Sequence, residues 1–346
     1  MTGVGLIGFG RVGRGLLREL HQRRLGLEVR AVSELNPRGR RPADLVANLA
    51  YLLKHDSTSG TFSPPVSARD QVIILDQREI PVFLDRAPGE VDWADLGVRL
   101  LVEASGDARA AEQAAALAGR AVDRVLITRS AQPAQVTLVP GVNLGDYRPE
   151  SHRVISCSTC TANAAAPVLM VLERSFGIRQ ASLISVHPAL SGDTILDAPH
   201  PIFAAGRSGL GLRPVPSQAA RTTAQVLPSL QGRLMAMTLR VPTPVVNALM
   251  VDAVLEDPPR GAERVVRVLE QAAEGELKGI LALERGFLEQ PRVAVDFAGS
   301  RFSALVDLGW LALEGPLLRL LIWHDNETAY CARVADILET VAANLS

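Results

Sequence analysis

Cys160 stands in the run Ser158-Thr159-Cys160-Thr161-Ala162-Asn163, directly before the apolar helical stretch Ala164 to Phe176. A thiol at or near a helix N-terminus meets the positive end of the helix dipole and backbone N–H groups without intrahelical partners. Both lower its pKa, and both can hold an oxyanion. His187 ends the next β-like run, Ala181 to His187, where its imidazole could pair with the thiol as a thiolate–imidazolium couple. Such a couple supports covalent, nucleophilic catalysis. From spacing alone, a buried structural cysteine and a surface histidine are the better account of the same residues.

Cys157-Ser158-Thr159-Cys160 is also a C-x-x-C. A zinc centre needs four ligands, and Cys331 is the only other cysteine, so a structural metal is not expected. A thioredoxin-like centre would follow the first strand of a small domain, which is not where this motif lies. A reversible Cys157–Cys160 disulfide stays open as a regulatory device.

At the N-terminal end, Gly8-Phe9-Gly10-Arg11-Val12-Gly13 is a complete G-x-G-x-x-G that follows a strand-like run and opens a helical one. Glu34 lies about twenty residues on, at the end of the second strand-like run. Glycines there let the backbone approach a pyrophosphate, whose charge sits on the helix N-terminus. An acid at Glu34 accepts hydrogen bonds from the adenosine ribose and repels a 2′-phosphate, which favours NAD over NADP. The competing account is a glycine turn in a doubly wound sheet that binds nothing.

These residues need a scaffold. The first hundred and thirty residues or so alternate β-like runs (Gly3 to Gly8, Leu27 to Ser33, Val98 to Glu103, Val125 to Thr128) with helical ones (Val12 to Arg24, Ala43 to Leu53). That is the pattern of a parallel sheet covered by helices. A hairpin is expected between Val72 to Leu75 and Ile80 to Leu84. Past Ser151 the texture changes to α+β with a mainly antiparallel sheet, built from Ala181 to His187, Met235 to Val241, Val245 to Leu255, Ser303 to Leu308 and Leu317 to Trp323. Pro188 to Pro216 is a long Gly/Pro-rich stretch of little periodicity and a candidate functional loop. The helix Ala262 to Glu274 follows, and Glu327 to Ala343 closes the chain.

With 346 residues the chain is expected to form two domains. Lys+Arg number 36 against 37 Asp+Glu, for a net charge of -1, so no global field gathers nucleic acid or an anionic membrane. No apolar run reaches the roughly eighteen residues of a membrane span, no signal peptide is visible, and three cysteines suit a reducing compartment. The expectation is a cytoplasmic protein.

Taken together, these segments resemble the glyceraldehyde-3-phosphate dehydrogenase family, and the similarity runs from Val4 to the last helix. Gly8 to Arg14 is close to the family's opening, and Ser158 to Pro167 is similar to its cysteine segment. Val186-His187, Arg240-Val241-Pro242-Thr243-Pro244, Glu274 to Leu281 and Trp323-His324-Asp325-Asn326-Glu327 are further matches. The resemblance implies a Rossmann NAD-binding domain over residues 1–159 with 326–346 returning to it, and a catalytic domain over 160–325. It implies Cys160 as nucleophile, His187 as base, and a cofactor set of Gly8, Gly10, Arg11, Val12, Gly13, Glu34, Arg86, Thr128 and Asn326, with Asn326 on the nicotinamide carboxamide. Thr159, Thr161, Ser217 and Arg240 are implied on the substrate side, with no metal. The implied reaction is NAD-dependent oxidation of a small aldehyde phosphate through a cysteine thioester, with inorganic phosphate as acceptor, in a homotetramer.

The phosphate sites match least well. Leu190 stands where the family has a threonine, Ser217-Gln218-Ala219 where Thr-Gly is expected, and Ala204-Ala205-Gly206-Arg207 where the family shows an arginine cluster. Each loss removes a bond to phosphate. Two alternatives therefore stay open: an erythrose-4-phosphate-type dehydrogenase in which water cleaves the thioester, and a catalytically impaired, NAD-binding paralogue with a regulatory or interaction role.

Overall fold

The computed structural model describes residues 1–36, 39–207, 209–288 and 290–345. The chain divides into two compact units: Met1–Leu138 with Asn143–Ser158 and the chain from Cys331 on, and Val139–Val142 with Thr159–Tyr330.

The continuous apolar and glycine run Thr2–Ile7 is a central strand of the first unit, buried on both faces as parallel strands require. Gly5 is needed there because a Cβ would lie 2.7 Å from the buried Trp93 ring. The sheet runs Val136–Thr137, Val154–Ser156, Arg124–Ile127, Val98–Glu103, Thr2–Ile7, Leu27–Glu34, Arg78–Leu84, Val72–Leu75, Val66–Arg69. Its pairings are parallel up to Arg78–Leu84, and the last two are antiparallel. The chain winds outward from Thr2–Ile7 to one side and then resumes on the other at Val98–Glu103. That switch point opens a crevice beyond the carboxyl ends of these strands, where Gly8 lies.

The expected hairpin forms on a two-residue turn, Asp76 and Gln77, both at positive φ (47° and 69°) as a type I′ turn requires. The edge strand Val66–Arg69 and the short strand Val154–Ser156 add to the expected set. Each is too short to declare itself without its neighbour. From Cys331 on, the last helix, Thr328–Ala343, packs within this unit. Arg23 donates to Asp336 Oδ1 at 2.7 Å and to the Ala332 carbonyl at 3.2 Å.

The second unit is a seven-stranded sheet in the order Arg213–Val215, Leu234–Arg240, Ile178–His187, Asn247–Leu255, Leu317–His324, Ala304–Glu314, Leu281–Glu284. Ile178–His187 pairs parallel with Leu234–Arg240, as does Leu281–Glu284 with Ala304–Glu314; the other pairings are antiparallel. Alternate residues of Asn247–Leu255 are buried, the period-two pattern of a sheet with one covered face. Leu169 and Leu172 of the helix Cys160–Phe176 and Val265 and Leu269 of the helix Ala262–Glu274 fill the core with Leu183, Val251 and Leu320. Met235, Met237 and Trp310 remain exposed. Among its described residues Pro188 to Pro216 contains only the helical turn Phe203–Gly206 and the strand Arg213–Val215, and a helix not anticipated by periodicity, Ala219–Val226, follows it. Among the described residues, no helix is long and apolar enough to cross a membrane.

Candidate active site

The helix that carries Cys160 starts at Cys160 itself, at the helix N-terminus expected for it. Thr159 is its N-cap in extended conformation, with Oγ1 accepting from the Ala162 N–H at 3.2 Å. The Thr159 carbonyl accepts from both the backbone N–H and the side-chain amide of Asn163, at 2.9 and 3.0 Å. Those bonds fix the first turn, and with it the direction of Cys160.

Cys160 Sγ lies 3.8 Å from His187 Nε2 and 3.9 Å from Thr161 Oγ1. His187 ends its strand in direct register with Arg240 on the parallel neighbour. Its Nδ1 is 2.8 Å from the Pro188 carbonyl, to which Arg240 Nη1 also donates at 2.7 Å, and the same guanidinium lies against Nδ1. The residues expected to meet from sequence, Cys160, His187, Thr161 and Arg240, are thus brought together. The electrostatics differ from the expectation of a simply lowered thiol. Burial pushes the Cys160 thiol up, while the hydroxyl and backbone N–H of Thr161 and the charge of Arg240 pull it down, and burial wins. A thiolate there therefore depends on a proton acceptor, and His187 is in place to be one.

Cys157, in the first unit, is almost fully buried, and burial raises its thiol far above the ordinary range. All three cysteines are free thiols. Ser217 Oγ accepts from the Ala219 N–H at 3.3 Å, at the start of the helix Ala219–Val226. Arg207 lies 3.9 Å from Asp197, both exposed.

Two features were not foreseen from sequence. Asp193, in the loop after His187, pairs with Arg213 and lies 3.6 Å from Arg240 Nε, and its Oδ2 accepts from the Leu190 N–H at 2.8 Å. Residues this far apart in the chain obey no spacing rule, so no sequence signal could have found the cluster. The second is His324, fully buried and without a hydrogen-bond partner on either ring nitrogen among the described residues. Burial first, and then the charge of His187, push it down to about 3. It stays neutral at ordinary pH.

In the first unit the glycine turn divides its labour. Gly8 has φ 87°, and a Cβ there would lie 2.6 Å from the Ser105 backbone; at Gly13 one would lie 2.3 Å from the Gly8 carbonyl oxygen. A Cβ at Gly10 would meet nothing within 4 Å. Gly10 caps the helix Arg11–Arg23 with no side-chain hydrogen bond, and Arg11, Val12 and Gly13 open the helix. Glu34 accepts from the Phe9 N–H at 2.6 Å and the Leu35 N–H at 2.7 Å, one on each oxygen, which leaves each a further lone pair. The open space at Gly10, the bare helix end and the acid at Glu34 fit a dinucleotide. Thr128 Oγ1 donates to the Glu103 carbonyl at 3.0 Å, and the exposed Arg86 stacks on Phe83 at 5.4 Å. Asn326, in the second unit, is buried with Oδ1 lacking a partner among the described residues.

The family profile of the glyceraldehyde 3-phosphate dehydrogenase NAD binding domain matches residues 2–111, and that of its C-terminal domain matches residues 159–326. Glyceraldehyde-3-phosphate dehydrogenase 1 of Bacillus cereus is 36% identical over 340 residues, 97% of each chain. The Geobacillus stearothermophilus enzyme is 36% identical over 98% of each chain, and that of Kitasatospora aureofaciens is 34% identical over 99% of this chain and 100% of its own. This chain belongs to the glyceraldehyde-3-phosphate dehydrogenase family. The bare helix end at Gly10 lies inside the NAD-binding match, and Cys160, His187, Asp193, Arg213 and Arg240 all lie inside the C-terminal match.

Proposed function

We propose that the chain oxidises glyceraldehyde 3-phosphate with NAD through a thioester on Cys160, and that inorganic phosphate then releases the acyl group. The observation that carries this reading is Cys160, at the first position of its helix, within 3.8 Å of His187 Nε2. His187 Nε2 takes the thiol proton, so the sulfur attacks the aldehyde carbon as a thiolate. The oxyanion of the thiohemiacetal lies against the Cys160 backbone N–H and the imidazolium. The imidazolium protonates that oxyanion, and the neutral imidazole then takes the hydroxyl proton back as hydride leaves and the carbonyl re-forms. NAD, when bound, supplies the hydride acceptor. Gly8, Gly10, Arg11, Val12 and Gly13 hold its pyrophosphate, Glu34 its ribose, Arg86 and Thr128 the adenosine side, and Asn326 its carboxamide. Thr159, Thr161, Ser217 and Arg240 face the substrate and the attacking phosphate.

We further propose a homotetramer in the cytoplasm. The loop after His187 exposes Ile195, Leu196, Ile202, Phe203, Leu210 and Leu212, an apolar set that a second copy would cover. Three free thiols suit a reducing compartment.

One observation favours a second reading. Ser217 Oγ accepts from the Ala219 N–H, which leaves a single O–H to give to a phosphate, so the phosphate acceptor site is thinly built. Water as the acyl acceptor, with erythrose 4-phosphate as substrate, would need less of it. The deciding experiment is initial NADH formation with glyceraldehyde 3-phosphate and with erythrose 4-phosphate, each with and without inorganic phosphate. Strict phosphate dependence with the three-carbon aldehyde is the expected result. Phosphate-independent turnover of the four-carbon aldehyde supports the second reading. NADH formation with neither would leave an NAD-binding paralogue without this chemistry.

A further inference from the structure

Arg213 and Arg240 are direct partners across the antiparallel strands Arg213–Val215 and Leu234–Arg240. Like charges so opposed repel, and more strongly where water is scarce. Here the two side chains are only 11% and 13% exposed, and the Asp193 side chain between them 10%. Asp193 Oδ1 pairs with Arg213, Oδ2 lies 3.6 Å from Arg240 Nε, and the Leu190 N–H donates to Oδ2 at 2.8 Å. Two guanidinium groups and one carboxylate leave an excess of one positive charge. That charge sits next to His187, because Arg240 touches the imidazole.

We propose that Arg213 joins Arg240, already implied on the substrate side by the family resemblance, in holding the phosphoryl group of the substrate, which displaces the Asp193 carboxylate from between them. Arg213 is then a substrate-binding residue and Asp193 its resident counter-ion. The inference rests on the reading of Cys160 and His187 as a site of aldehyde-phosphate oxidation. Three donors converge on Asp193: the Leu190 N–H and two guanidinium groups. A phosphoryl group presents three peripheral oxygens to such a set, and as a dianion it neutralises both cations where a carboxylate neutralises one. Both arginines stand on paired strands, whereas Asp193 belongs to the irregular part of the loop. Exchange of the anion therefore breaks no sheet pairing.

The test is the rate of Cys160 alkylation by iodoacetamide against the concentration of glycerol 3-phosphate, which carries the phosphoryl group and no aldehyde. The full chain is compared with Arg213→Gln and Asp193→Asn, with melting curves to confirm folding. Glycerol 3-phosphate slows alkylation of the parent chain. Its half-protecting concentration rises at least about tenfold in Arg213→Gln and falls about tenfold in Asp193→Asn, because one charged partner is lost in the first and a competitor removed in the second. If Arg213→Gln fails to fold, Arg213→Lys serves, with weaker protection than the parent because it loses the bidentate fork. An unprotected parent chain, an unchanged arginine variant, or a rise with Asp193→Asn each overturns the proposal. The last would make Asp193 merely a holder of the arginines. Turnover is read separately. Absence of NADH formation from glyceraldehyde 3-phosphate, with these shifts in protection intact, defeats the proposed reaction and leaves the anion site standing.

Discussion

Two helix N-termini in this chain are finished in opposite ways. The helix Arg11–Arg23 is capped by Gly10, which gives its first turn no side-chain hydrogen bond and where an added Cβ would meet nothing within 4 Å. The helix Cys160–Phe176 is closed by its own Thr159 hydroxyl, and its first residue is a thiol. A bare end offers backbone N–H groups to an anion from outside, as a diphosphate-bearing cofactor demands. A capped end has already satisfied part of that set, and what it delivers is one side chain in a fixed direction. The same dipole serves binding in one case and aim in the other.

The largest effect that can test this contrast is at the capped end. Cys160→Ala should lower kcat at least about 10⁴-fold, because the covalent step disappears. His187→Asn should lower it about 10²- to 10⁴-fold and move the alkylation profile of Cys160 to higher pH. The sign follows from burial, which already raises the thiol: removing the proton acceptor leaves only Thr161 and Arg240 to oppose it. Stopped-flow alkylation between pH 6 and about 10 reads the shift, and an unmoved profile would detach His187 from the thiol.

At the bare end, two glycines separate binding from folding. Gly10→Ala adds a methyl into open space, so melting should fall by no more than about 1 kcal/mol while NAD affinity drops roughly tenfold to a hundredfold. Gly13→Ala forces a carbon to 2.3 Å from the Gly8 carbonyl oxygen and should destabilise the fold by about 1–3 kcal/mol even without cofactor. Equal melting temperatures for the two variants would break the distinction. Cofactor fluorescence and calorimetry provide the two readings.

Glu34→Gln keeps an acceptor for the Phe9 N–H but removes the charge, so the preference for NAD over NADP should narrow about tenfold. The smallest effect belongs to the cap. Thr159→Val should cost about 1 kcal/mol of stability, and Thr159→Ser should recover most of it. Thermal melts check both.

Much of the first unit was legible because its signals are local. The G-x-G-x-x-G, the strand before it, the helix after it and the acid at Glu34 lie within one supersecondary unit. The turn at Asp76 could also be read from the two apolar runs it joins. The strands Arg213–Val215 and Leu281–Glu284 could not, because three or four residues acquire strand character only from a partner. At the site, the position of Cys160 near a helix start was readable, but the direction of its thiol shift was not. The dipole is a property of one helix, whereas burial is decided by everything packed around the sulfur. The Asp193 cluster was invisible for the same reason, since the loop between Asp193 and Arg213 carries no period that relates them.

The return of the chain to the first unit at Cys331 has a consequence for the order in which the protein is made. An added carbon at Gly15, in the second turn of the helix Arg11–Arg23, would lie 2.9 Å from Cys331 Sγ, so that helix has a seat shaped for the end of the chain. On the ribosome the glycine turn emerges before the surface that covers its helix. The second unit, whose segments all precede Cys331, can complete its core while the first still lacks a piece. Dinucleotide binding is thereby tied to synthesis of the helix Thr328–Ala343: a nascent chain stopped short of it holds the glycine turn on an unfinished support.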